Sequence, residues 1–192
     1  MNVFLTVLLL LAPVKVERGR FVITKDGKTI GTDEFSLSKL AAGYLLEGKT
    51  TIGDLVISSQ MELDNKLDVT SYKASSREGS IQVKIGKPVS ELQSVANGET
   101  SSTDFRFPDG GIILDNNFFH HYLILMYRVQ TGQNSFSVFV PQDMRAGMAT
   151  VRSTRPRTYE LQVGDVRMEA TIDADGSLTR LSVPSANVVV QR

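Results

Sequence analysis

The chain of 192 residues has no cysteine, no tryptophan and only two histidines, and its 21 basic residues are balanced by 21 acidic ones. Without cysteine there can be no disulfide, thiolate metal site, cysteine nucleophile or lipidated N-terminal cysteine, which excludes a lipoprotein. The same absence does not locate the chain, because oxidising compartments permit disulfides without requiring them. Zero net charge removes the global electrostatic footprint of a nucleic-acid-binding protein. No G-x-S-x-G occurs, and a meander of antiparallel strands offers no strand-turn-helix elbow to expose a serine nucleophile, so serine catalysis is not expected. No repeat, low-complexity tract or linker calls for a second domain.

Long hydrophobic runs are scarce. The first, Val3 to Leu11, is broken only by Thr6 and is followed by Ala12, Pro13, Lys15 and Glu17. It resembles the apolar core of a secretory signal peptide, although no Lys or Arg precedes it and no clean small-x-small cleavage site follows. We therefore expect residues 1–16 to be a signal peptide or N-terminal hydrophobic segment, and the protein to be exported to the periplasm or secreted. A buried first strand or short membrane anchor is the alternative reading. Residues 17–192 suit a single β-rich domain with a proper core.

Most of that domain alternates with period two. Phe21 and Ile23, a turn at Asp26-Gly27 and a return through Ile30, Phe35 and Leu37 read as a first hairpin. Leu55, Ile57, Ser59, Met61 and Leu63 share one face of the clearest strand, which turns at Asp64-Asn65. Glu78-Gly79, Asn97-Gly98 and Asp173-Ala174-Asp175-Gly176 mark further turns, since Asn, Asp and Gly tolerate positive φ. Asp173 to Gly176 also matches the opening of a calcium loop, but Thr179 and Leu181 stand where later oxygen ligands are needed, so a hairpin turn is expected.

The second apolar run, DNNFFHHYLILMYR from Asp115 to Arg128, is the one segment of the domain with helical spacing. Phe118, Tyr122, Leu125, Met126 and Val129 recur at that spacing, with Asp115 as candidate N-cap. Phe119, Leu123, Ile124 and Tyr127 fill the rest of the circumference, and a helix apolar all round is normally buried. At roughly 21 Å it is too short to cross a bilayer. The expected fold is mainly β: an antiparallel meander of roughly nine to eleven strands, curled into an open barrel or half-barrel. One apolar helix, at about 115–129, lies against its concave face.

The leader, the opening RGRFVITKDGKTIGTDEFSL, the mid-chain helix and the closing TIDADGSLTRLSVP together resemble uncharacterised secreted bacterial β-proteins. These are thought to share the curved sheet of lipoprotein carriers and insertases of the LolA/LolB type. The resemblance implies an envelope location and a concave apolar surface able to hold acyl chains; it carries over no functional position.

His120 and His121, adjacent on a helix, should diverge by about 100° and so not share a metal. A site would need one of them plus Asp104, Asp109 or Asp115; instead we expect hydrogen-bonded imidazoles on the helix's polar edge, with no metal ligand and no cofactor. Scattered acids single out no carboxylate pair for glycoside hydrolysis. The leading functional reading is a non-catalytic envelope protein holding a lipid or other hydrophobic ligand between sheet and helix. Phe118, Phe119, Tyr122, Leu123, Met126 and Tyr127 would line or plug that groove, or simply form core. The alternative is a structural or interaction protein that engages an envelope protein partner through an exposed strand edge. In a variant of it Arg145, Arg152, Arg155 and Arg157, with no acid from Met144 to Tyr159, meet an anionic partner or membrane surface, unless they are ordinary solvated strand residues. A hydrolase using His120 or His121 as base is the third reading; no nucleic-acid partner is expected.

Overall fold

The computed structural model describes residues 14–192, so the expected leader lies outside the described residues up to Pro13. Strands β1 (Glu17–Lys25) and β2 (Lys28–Leu40) form the first hairpin around Asp26 and Gly27, at φ of 50° and 75°. β3 (Gly43–Ile52), β4 (Leu55–Asp64), β5 (Val69–Ser76), β6 (Gly79–Lys84), β7 (Ser90–Ala96) and β8 (Glu99–Phe105) follow, each antiparallel to its predecessor. The turns fall where local chemistry places them. At Asp64 the side-chain Oδ1 accepts from the backbone N–H groups of Lys66 and Asp68, at 2.7 and 2.9 Å. Asn97 and Gly98 both sit at positive φ, as a two-residue hairpin loop requires.

A two-residue strand β9 (Ile112–Ile113) then leads to the helix α1 (His121–Gln130) and to β10 (Ser135–Val140), which runs parallel to β9. β11 (Arg145–Arg155), β12 (Thr158–Val163), β13 (Val166–Ile172), β14 (Leu178–Val183) and β15 (Val188–Gln191) complete an antiparallel series. β15 pairs with β1, Val22 opposite Gln191, so all fifteen strands make one sheet in the order 8-7-6-5-4-3-2-1-15-14-13-12-11-10-9. The sheet is strongly curved and not closed into a barrel, and the mainly β half-barrel with one helix is the observed architecture.

Two details differ from expectation. The described residues form fifteen strands rather than roughly nine to eleven. β9 and β15 are too short to display alternation, and β8 is an exposed edge whose Glu-Thr-Ser-Ser-Thr-Asp run has no buried face to write into the sequence. The helix begins at His121, not Asp115; from Asp115 to Leu123 the backbone winds in i to i−3 hydrogen bonds, forming an arm that precedes α1. His120 occupies the N-cap position.

Alternate residues of the strands point inward and make one core: Phe21, Phe35, Leu46, Met61, Val83 and Leu161 are among its fully or nearly fully buried members. Leu123 to Arg128 of α1 are all buried, as an all-round apolar helix must be. Asp173 to Gly176 is indeed a hairpin turn, in which Asp173 Oδ1 accepts from the N–H groups of Asp175 and Ser177. Gly176 abuts Gln130 at the end of α1 so closely that a Cβ would overlap its amide. The two ends of the sheet meet through rings rather than hydrogen bonds: Phe105 of β8 stacks on Phe139 of β10 with centroids 4.5 Å apart, and Phe107 packs edge-on to both. Truncating Phe139 to Ala removes the middle of this seam. Urea denaturation of that variant should show a loss of about 3–5 kcal/mol, with faster amide exchange in β8 than in β4.

Candidate functional site

Strands β2, β3 and β4 carry polar or small residues on their inward face where the rest of the core is apolar. Register puts Asp33 opposite Thr50, and Gly48 between Phe35 on one side and Ser59 on the other. Ala74 of β5 follows Ser59 in the same row. Into this gap go the imidazoles of His120 and His121. Gly48 is needed there, because a Cβ would overlap the His120 ring.

The hydrogen bonds form a single chain. Asp33 accepts from the His120 backbone N–H at Oδ2 (2.7 Å), and at Oδ1 from the Thr50 hydroxyl (3.0 Å) and the His120 Nδ1–H (2.8 Å). Ser59 Oγ lies 2.8 Å from His120 Nε2 and 3.2 Å from His121 Nε2. At the far end the Asp115 N–H donates to His121 Nδ1 at 3.3 Å. That last bond sets the direction of all the others. With Nδ1 accepting, neutral His121 must carry its proton on Nε2 and donate it to Ser59; the single Ser59 proton then goes to His120 Nε2, and His120 donates from Nδ1 to Asp33. Asp33, His120 and His121 are 0% exposed and Ser59 3%.

Phe118 closes the ensemble, stacked on His121 at 5.1 Å and edge-on to His120 at 5.5 Å. Tyr72 packs edge-on to His121 and donates its hydroxyl to Asp115 Oδ2 at 2.7 Å. Burial pushes the His121 pKa well below its ordinary 6.5, and the neighbouring His120 adds to the effect. Burial likewise raises the Asp115 carboxyl, against the lowering influence of its bonds from Tyr72, Gln142 and Asn116.

Two apolar clefts flank the arm. One of about 400 Å³ lies between Phe118, Phe119 and Tyr122 and the strands β10 to β13, lined further by Met148, Val163 and Met168, with Asp143 and Arg145 at its edge. The other, of about 350 Å³, lies between Asn117 and Phe118 and Leu55, Ile57, Ile81 and Val95. A more polar depression over Glu34, Lys49, Gln60 and Lys73 is on the outer face of β2 to β5, across the sheet from the imidazoles.

The groove candidates therefore separate. Phe118, Phe119 and Tyr122 reach a cleft, whereas Leu123, Met126 and Tyr127 belong to the core, Tyr127 donating to Glu17 at 2.7 Å. The four arginines are exposed but strung out along β11 and the turn after it; Arg152 pairs with Glu160, and Arg145 borders the cleft beside Phe119. Of the acids considered beside the histidines, Asp115 touches His121 through its backbone, while Asp109 pairs with Lys87. Asp115 does not cap the helix, and the two imidazoles do not diverge: both Nε2 atoms meet one hydroxyl because His120 is at the N-cap and His121 in the first turn. Ser59 and Asp33 were missed as partners of His120. Their signal was a polar residue in an otherwise apolar inward row, with Gly48 beside it. No protein-family model, curated protein or solved structure matches the chain.

Gly48→Ala should displace the His120 ring and lower the thermal midpoint, and a tryptic or exchange map should show the loosening concentrated in the arm. The depressed His121 pKa also fixes a pH dependence. Below about 6.5 the unfolded chain binds a proton that the folded chain refuses, so stability is full above that pH and falls as the pH drops toward the folded value. Melts between pH 7.5 and 5.5 should show this decline, and His121→Gln should flatten it.

Proposed function

We propose that the protein binds an apolar or amphiphilic ligand at the bacterial cell envelope, seated in the cleft between the arm and strands β10 to β13. The carrying observation is that cleft. Its volume of about 400 Å³ is within the range of small-molecule sites. Its lining is mostly apolar, and exposed Met148 and Val166 beside it leave large hydrophobic side chains in water. Arg145 at the edge supplies a cation for an anionic headgroup, with the chain lying against Phe119 and Tyr122. The apolar run Val3 to Leu11 supports export, and the resemblance to lipoprotein carriers supports an acyl-chain ligand.

The test is displacement of a fluorescent fatty acid, with native mass spectrometry of protein purified from envelope extracts. Phe119, half-buried at the cleft, should when changed to Ala weaken binding about tenfold, equivalent to about 1.4 kcal/mol, with a smaller effect on the melt. Arg145→Glu should weaken fatty acids more than the corresponding alcohols. Leu123→Ala should do the reverse of Phe119→Ala, costing about 2–5 kcal/mol of stability with affinity retained in the folded fraction. Equal binding by wild type and Phe119→Ala would remove the cleft from consideration.

A further inference from the structure

We infer that Ser59, His120 and Asp33 form a nucleophilic set that cleaves acyl esters, with Ser59 Oγ as the attacking atom and His121 as donor to the oxyanion. The inference rests on the cleft described above for the seat of the acyl chain, and on the buried hydrogen-bond chain for the chemistry.

The geometry has every element of activated serine. Oγ and Nε2 are 2.8 Å apart and Nδ1 and the carboxylate 2.8 Å apart, so nucleophile, base and orienting group are each within hydrogen-bond reach of the next. The direction of the chain is also the productive one. Because Asp115 N–H holds His121 Nδ1 as an acceptor, the Ser59 proton is committed to His120 Nε2, and His120 keeps its own proton on Nδ1 toward Asp33. Asp33 is fixed by two further donors, the Thr50 hydroxyl and the His120 backbone N–H, which hold it in place as the imidazole becomes charged.

In the first step an Oγ lone pair bonds to the ester carbonyl carbon, the carbonyl π pair moves onto oxygen, and the Ser59 proton passes to His120 Nε2. The His121 Nε2–H, 3.2 Å from Oγ, turns from Ser59 to the new oxyanion. Collapse breaks the bond to the alcohol oxygen, which leaves with the His120 proton and gives an acyl-Ser59 ester. Water then attacks that ester as His120 takes its proton. The Oγ–carbon bond breaks, Oγ regains a proton from His120, and a carboxylic acid is released.

Phe118 is the entry. Its ring packs on both imidazoles and the same residue lines both apolar clefts, so this one side chain must move aside for an ester to reach Ser59. An apolar approach of this kind suits acyl esters of medium chain length rather than charged or sugar substrates.

The probe is diisopropyl fluorophosphate, whose phosphorus Ser59 would attack with loss of fluoride, followed by intact-mass measurement and peptide mapping. Full-length wild type should gain one diisopropylphosphoryl group on Ser59, and Ser59→Ala none. Phe118→Leu should label at least tenfold faster, and p-nitrophenyl ester hydrolysis should rise from acetate to octanoate and vanish in Ser59→Ala. Natively folded wild type whose Ser59 remains unmodified after prolonged exposure overturns the inference, whether or not Phe118→Leu folds. Fatty-acid displacement on Ser59→Ala keeps the two readings apart. Binding that persists while wild-type Ser59 is inert means a carrier without chemistry, whereas labelled Ser59 without fatty-acid binding leaves the nucleophile and removes the groove.

Discussion

The carboxylate of Asp33 is the constraint on which the inside of this half-barrel depends. It comes from β2, yet it sits at the N-terminus of α1, taking the His120 N–H at 2.7 Å and the His120 Nδ1–H at 2.8 Å. A negative group there complements the helix dipole and satisfies one of the amides that every helix start leaves unpaired. A buried carboxylate is costly unless its oxygens are filled. Here the partners are a helix start, an imidazole and Thr50, so burying the acid and docking the helix are one event. Remove any partner and a polar group is stranded at a cost of about 1–3 kcal/mol, which is why strand, arm and helix hold a single arrangement.

From that anchor the remaining features follow in order. The imidazole needs room against β3, so Gly48 has no side chain. It needs a partner for its second nitrogen, and Ser59 on β4 supplies one. Ser59 needs a donor, which is His121, and His121 ends the chain at the backbone of Asp115. Asp115 in turn accepts from Tyr72 of β5 and from the Gln142 N–H beyond β10, linking the two halves of the sheet across the concave side.

Much of the fold was legible in the sequence because it is written in short-range signals. Asp26-Gly27 and Asn97-Gly98 specify tight turns by their own φ preferences, and the 55–63 alternation names its buried face without reference to any other strand. The half-barrel was legible at one remove, since an all-apolar helix requires a surface to surround it. The helix start was not legible, because its cap comes from a residue 87 positions upstream. Asp115 was a reasonable local candidate whose side chain is employed elsewhere. The Ser59 and Asp33 partnership was hidden for the same reason: period-two alternation assigns both to the inward face but says nothing of what enters the space above them. In β3 the inward row that holds Leu46 and Thr50 is interrupted by Gly48, and the interruption is the site.

Every neighbouring pair in the sheet but one joins strands consecutive in the chain; the exception is β1 with β15, with Val22 opposite Gln191. Contact order is therefore concentrated in a single seam. The hairpins on either side can form locally and early, while the seam must wait until two finished meanders find each other. Loop-closure entropy rises only logarithmically, by about 0.6 kcal/mol per doubling of length, so this distant pairing is slow far more than it is weak. Until it closes, β1 and β15 each present a bare edge, and the folding chain is at its most vulnerable to pairing with another copy of itself.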